Sequence, residues 1–168
     1  MRTNQGVEWG AHCAVVLALL PDGATLSAAA LAEYHGIPGP YLAKTLQALA
    51  RGGLVTATPG RHGGYRLSRP ADRITLLDLV RAVEGGDTFF RCTEIRKRGP
   101  ARAPSRAYPP VCAVAGAMWE AEAAWQRSLE AVTVADIAAQ VGRQAPTVAV
   151  AKGIRWLGTR VSLPGTAG

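Results

Sequence analysis

A mainly α-helical fold carrying a single two-stranded β-hairpin is what this sequence predicts, and three observations carry the expectation. Alanine is abundant while aromatic residues make up only 6% of the chain, so helices packed through small side chains are favoured over a large β-core. Apolar residues recur at three- and four-residue steps in successive segments. Only residues 54 to 67 hold two short β-prone runs around a Gly-rich tip.

The elements follow in order. Apolar spacing from Val7 to Leu20 fits a first helix, stopped by the turn Pro21-Asp22-Gly23. A second begins after the N-cap Ser27, carries Ala30, Leu31 and Tyr34, and ends at Gly36. A third runs from about Pro40 to Arg51 and buries Leu42, Leu46 and Leu49, which lie on one face. Leu54–Thr58 and Tyr65–Leu67 read as the strands of the hairpin. A fourth helix starts near Thr75, buries Leu76, Leu79, Val80 and Val83, and stops at Gly85-Gly86. Residues 91 to 110 hold six basic side chains and four prolines, which predicts a long loop with neither helix nor strand. From Val111 to Val132 a long helix returns. Its Val114, Met118, Ala121, Trp125, Leu129 and Val132 form a helix-pairing seam. Thr133 caps a short helix to about Val141, and beyond Gly142 scattered Gly and Pro predict a weakly ordered tail.

The length of 168 residues suits one compact domain. Nineteen Lys and Arg against 12 Asp and Glu give a formal charge of +7, which favours a polyanionic partner. No apolar run is long enough to span a membrane and Ala11–Leu20 has no basic leader, so a soluble, cytoplasmic protein is expected. Three scattered cysteines, Cys13, Cys92 and Cys112, do not make a secreted disulfide framework. An enzyme is disfavoured, since neither a nucleophile–base motif nor paired acid–base carboxylates appear, and the glycines of the hairpin lack a P-loop Lys-Ser/Thr.

Two helices joined by a short Gly-containing turn and followed by a basic-tipped hairpin have the order of a winged helix-turn-helix. The fold class is therefore mainly α: a winged helix-turn-helix with a long dimerisation helix and a two-stranded β-wing. With the leucine stripe turned inward, Tyr41, Lys44, Gln47, Ala48 and Arg51 face away from it, at about 100° per residue. Pro40, Tyr41, Lys44 and Thr45, early in the third helix, are placed to reach base edges, and Lys44 can donate to guanine. Arg51 suits a phosphate contact. At the wing tip Arg61 suits a minor groove and His62 a phosphate.

The strings GIPGPYLAKTLQALARGGLV, GRHGGYRL, ITLLDLVRAVEG and RCTEIRKRGP, in this order, resemble the Rrf-two family (Rrf2) of bacterial regulators over about residues 1 to 141. That family includes the iron-sulfur sensors IscR, NsrR and RsrR, and the likeness to RsrR is the strongest of the three. The resemblance implies a homodimer joined through the long helix that binds palindromic operators of double-stranded DNA. It divides the chain into a winged helix-turn-helix DNA-binding domain (1–86), a cluster-binding loop (87–110), a dimerisation helix with a short following helix (111–142) and the tail (143–168). Many members ligate an iron-sulfur cluster with three cysteines after the fourth helix. Here only Cys92 and Cys112 fall there and the middle cysteine is missing. Ala43 stands where some members place a glutamate that reads bases.

Two thiolates leave two cluster positions for nitrogen or oxygen donors. Glu8 and His12, four residues apart, leave the first helix on one face. Relatives in which an acidic residue of that helix completes the site across the dimer imply a 2Fe-2S cluster held by Cys92 and Cys112 of one subunit and Glu8 and His12 of the other. Trp9, beside Glu8, is the candidate signal relay to the DNA-binding unit. Such a protein is a redox- or nitric-oxide-responsive repressor or activator. A tetrahedral zinc site with the same ligands, a thiol switch, and a cluster-free protein-interaction module are the competing readings. Cys13, turned from His12 by about 100°, is expected in the core.

Overall fold

The computed structural model describes residues 4–60, 63–86 and 88–163. The first helix, α1 (Gln5–Ala18), is capped by the Asn4 side chain, which accepts the Gly6 N–H at 2.9 Å. It lies at the centre and packs on the third, fourth and sixth helices and on the wing. Ser27 caps α2 (Ala28–His35) by accepting the Ala30 N–H, and Gly36 ends it with φ of 64°, a left-handed conformation glycine adopts without penalty. After the turn, Pro38 opens α3 (Gly39–Arg51), whose Leu42, Leu46 and Leu49 are fully buried beside Cys13, Leu26 and Leu31. This is the stripe expected from the leucine spacing.

Small residues bring α1 and α3 unusually close. A Cβ on Gly6 would stand 3.2 Å from Thr45 Oγ1, and one on Gly10 would stand 3.4 Å from Thr45 Cγ2. Thr45 is therefore buried at the crossing.

The wing pairs β1 (Val55–Thr58) with β2 (Gly64–Leu67) in antiparallel register, Val55 opposite Leu67 and Thr58 opposite Gly64. Leu26 exchanges two backbone hydrogen bonds with Tyr65, and Thr25 exchanges two with Ser162, so the wing is backed by two further short extended segments. Gly64 permits this approach, because a Cβ there would sit 2.6 Å from the Leu26 carbonyl. Gly64→Ala should lower stability by about 1–3 kcal/mol through backbone overpacking. Gly39→Ala, where a Cβ meets nothing within 4 Å, should leave the urea midpoint nearly unchanged; equal midpoints for both variants would contradict the packing argument.

Thr75 caps α4 (Leu76–Glu84) and Thr133 caps α6 (Val134–Gln144), each with a reciprocal capping box, through Asp78 and Asp136. The two caps sit side by side: Leu76 N–H donates to Val132 O and Val134 N–H to Ile74 O. Between them, α5 (Ala113–Glu130) is the long helix expected from the seam spacing. The loop before it contains two short 3-10 turns, Ile95–Lys97 and Ser105–Ala107. Arg96 stabilises this loop, donating to Pro109 O at 2.8 Å and lying over the Tyr108 ring, while the Tyr108 hydroxyl donates to Arg96 O.

The C-terminal region differs from the sequence expectation. In place of a weakly ordered tail beyond Gly142, α6 continues to Gln144 and α7 spans Thr147–Gly158. Tertiary contacts offset its Gly-containing composition. Trp156 packs on Tyr34 with ring centroids 5.4 Å apart, and Arg160 donates to both carboxylate oxygens of Glu33 at 2.7 and 3.1 Å. Ser162 then joins the extended pairing behind the wing.

Candidate DNA-binding face and thiol site

The outward side of α3 presents Pro40, Tyr41, Lys44, Gln47 and Arg51, all exposed. Five residues of a helix open to solvent, two of them cationic, can enter a major groove and donate to base edges and phosphates. Two expected members are not available. Thr45 retains 6% exposure, packed against Gly6 and Gly10, and Ala48 retains 8%. For Thr45 the close α1–α3 crossing is the reason, because Gly6 and Gly10 of α1 stand against it. Arg61 and His62 at the wing tip lie outside the described residues.

Trp9 is half-buried and meets Tyr41 edge-on, ring centroids 6.4 Å apart at 61°. It thus touches the exposed start of α3. Glu8 and His12 are exposed on α1. The His12 ring stands 5.7 Å from that of His35, at the end of α2. His35 is the last residue of α2, and its Nε2 is buried without a hydrogen-bond partner among the described residues. Burial, and secondarily the nearby His12, hold its pKa below the usual histidine value.

The three thiols occupy different environments. Cys13 is fully buried, and burial pushes its pKa up to about 12, as befits an inert core thiol. Cys92 and Cys112 are half-buried and free, and Glu94 stands beside Cys92. Glu94 Oε1 lies 3.8 Å from Cys92 Sγ. Lys97 at 2.8 Å, and then Arg96, hold the Glu94 carboxyl below its usual pKa. Glu94 is therefore a carboxylate held in place beside Cys92 by two cations. Sequence reasoning missed it; its backbone φ of 53° shows that the loop turns sharply there.

Cys112 is the N-cap of α5. It forms no capping hydrogen bond of ordinary geometry, but the Ala115 and then the Val114 amides hold the thiol below its usual pKa, reinforced by Arg96. A helix N-terminus favours an anion, and a thiolate is the form that ligates iron. The sulfur donors therefore fit a soft metal centre. Donors within one chain stop short, however. Among the described residues no three His, Cys, Asp or Glu side chains of a single chain converge on a point where a metal ion would sit.

A recognition helix with an exposed cationic face, a preceding helix and a β-wing define the winged helix-turn-helix class of DNA-binding regulators. Comparison with known proteins narrows this class. A family model described as an iron-dependent transcriptional regulator, Rrf2, matches residues 3–140. The chain belongs to the Rrf2 family of transcriptional regulators, and is not an enzyme. A protein of Lactococcus lactis subsp. lactis named as an HTH-type transcriptional regulator, YffB, is 30% identical over 138 residues, covering 82% of this chain and 87% of that one. Among solved structures, CymR of B. subtilis, titled its global cysteine regulator, matches with a TM-score of 0.65 at 21% identity, over 83% of this chain and 98% of that one. IscR of T. potens matches with a TM-score of 0.63 at 23% identity, over 88% and 93%. These two share the fold. No helix among the described residues is long and apolar enough to cross a membrane.

Proposed function

We propose that this regulator is a homodimer whose affinity for a palindromic operator is set by the redox state of a 2Fe-2S cluster. Cys92 and Cys112 of one subunit and the partner subunit's Glu8 and His12 would hold it. One observation carries the reading: two half-buried thiols flank one loop that leads into α5, and the first amides of that helix hold one of them below its usual pKa. Exposed Glu8 and His12, four residues apart on α1, are free to be offered to another chain. Ile95, Val111, Val114, Met118 and Trp119 expose an apolar surface around the thiols, and Val114 and Met118 belong to the seam of α5. A second copy covering that surface accounts for it.

When bound, the cluster supplies a one-electron change of charge. The chain's own part is to carry that change to DNA. Trp9 sits one residue from Glu8 and touches Tyr41, so a pull on Glu8 or His12 bears on the start of the recognition helix. Pro40, Tyr41 and Lys44 would meet bases, Arg51 and His62 phosphate, and Arg61 the minor groove at the wing.

The deciding experiment measures binding to an operator selected from random duplexes, using as-isolated, dithionite-reduced and cluster-free protein, with absorption spectra taken alongside. Red-brown protein that bleaches on reduction, with different operator affinity in the three states, is the expected result. Equal affinities end the switching proposal, and colourless protein containing zinc ends the cluster. The lowered pKa of Cys112 favours one rival, a thiol switch without metal. Colourless, metal-free protein whose DNA affinity changes on mild oxidation would establish it.

A further inference from the structure

Glu122 and Trp119 of α5 have no part in the donor set above, yet both reach the segment that leads to Cys92. Phe89 N–H donates to Glu122 Oε1 at 3.1 Å, and Trp119 Nε1 donates to the carbonyl of Phe90 at 3.3 Å. The Phe89 ring packs edge-on against Trp125, centroids 4.9 Å apart. Residues 88 to 94 have neither helix nor strand to hold them, so these anchors, two and three residues before Cys92, place the thiol together with Arg98, which donates to Thr93 O at 3.0 Å on its other side. All three anchoring side chains come from α5, the helix that Cys112 caps. A rigid rise of about 1.5 Å per residue puts Trp119 roughly 10 Å along the axis from Cys112.

Glu122 carries the stronger signal of the two. It retains only 9% exposure, and its Oε2 is buried without a hydrogen-bond partner among the described residues. Its Oε1 also accepts from Gln126, which in turn accepts from Arg81 of α4. A buried carboxyl with one oxygen unsatisfied lowers stability relative to an apolar residue. What it gains in return is one fixed backbone position in an otherwise irregular segment.

We propose that Glu122 and Trp119 are positioning residues that register the Cys92 segment on α5, so that one helix sets the separation of both thiols. The proposal deepens the reading of Cys92 and Cys112 as cluster ligands, and rests on it only for its purpose.

The test uses the full-length, reduced, metal-free protein and follows iodoacetamide labelling of each cysteine by peptide mass spectrometry. In Glu122→Ala, Cys92 should label about tenfold faster, the effect of releasing a buried hydrogen bond on local opening, while Cys112 keeps its rate. Glu122→Gln, which keeps an oxygen acceptor for Phe89 N–H, should restore a near wild-type rate. Trp119→Phe removes only the donor to Phe90 and should give a smaller rise, which serves if Glu122→Ala folds poorly. In reconstituted protein, Glu122→Ala should also shift the reduction potential and visible spectrum, with Glu122→Gln closer to wild type. An unchanged Cys92 rate in both Glu122→Ala and Trp119→Phe overturns the proposal, as does a parallel rise at Cys92 and Cys112, which would mean general loosening. Selective labelling at Cys92 in a protein that never takes up a cluster would uphold positioning while sinking the cluster reading.

Discussion

Cys112→Ser should abolish the visible absorption of anaerobically reconstituted protein while leaving the fold intact. The reasoning turns on what Cys112 does at the start of α5. As the N-cap it faces the first amides of the helix. Serine is a preferred N-cap, so the helix should form at least as well in the variant. What serine lacks is an ionised sulfur, since its hydroxyl does not deprotonate near neutrality, and iron-sulfur ligation needs the thiolate. Loss of colour with an unchanged circular dichroism spectrum therefore isolates ligation from folding, and retained absorption would remove Cys112 from the ligand set. The wild-type apoprotein gives a companion measurement. A depressed pKa means the reactive anion is already populated below the ordinary thiol range of about 8.5 and accumulates as pH rises through the lowered value. Labelling of Cys112 should therefore reach half its maximal rate at a lower pH than a free cysteine, while Cys13, raised to about 12 and fully buried, stays unlabelled.

Lys44→Ala should weaken binding to the selected operator by about 5- to 150-fold, the range for a lost base-reading donor of about 1–3 kcal/mol. Lys44 is exposed early in α3, where a recognition helix enters the groove. Arg51, near the helix end, should behave differently: Arg51→Ala should weaken binding to all sequences alike and reduce the salt dependence by about one ion. If Lys44→Ala lowers specific and random-sequence binding equally, it contacts phosphate. If it lowers neither, α3 does not read DNA through this face. Substitution of Thr45 tests the opposite expectation, acting on stability through the α1–α3 contact.

Local signals made most of the architecture legible. Ser27, Thr75 and Thr133 each cap the helix that follows, and the leucines of α3 are buried at the expected spacing, because capping and periodicity act over a few residues. Non-local packing accounts for what was missed. Trp156 and Arg160 hold α7 through Tyr34 and Glu33, more than 120 positions away, and no short window contains that information. Thr45 is expected at base edges from its place early in α3, and is inward because two glycines on another helix admit it. The candidate site was legible only as residue types. That Glu94 stands beside Cys92, and that α5 carries both the cap and the anchors of the loop, depends on how an irregular segment folds back on a helix.

The glycine crossing also has a mechanical side. Against Gly6 and Gly10 of α1, α3 sets only the short Thr45 and the fully buried Leu49. A thick layer of long side chains yields, because rotamers can change and absorb a small displacement; a β-branched threonine and a close-packed leucine against glycine backbone have little to give. The two helices are coupled stiffly, more as gear teeth than as cushions, and a small rotation of α1 reaches the face that carries Tyr41 and Lys44 with little of it lost on the way.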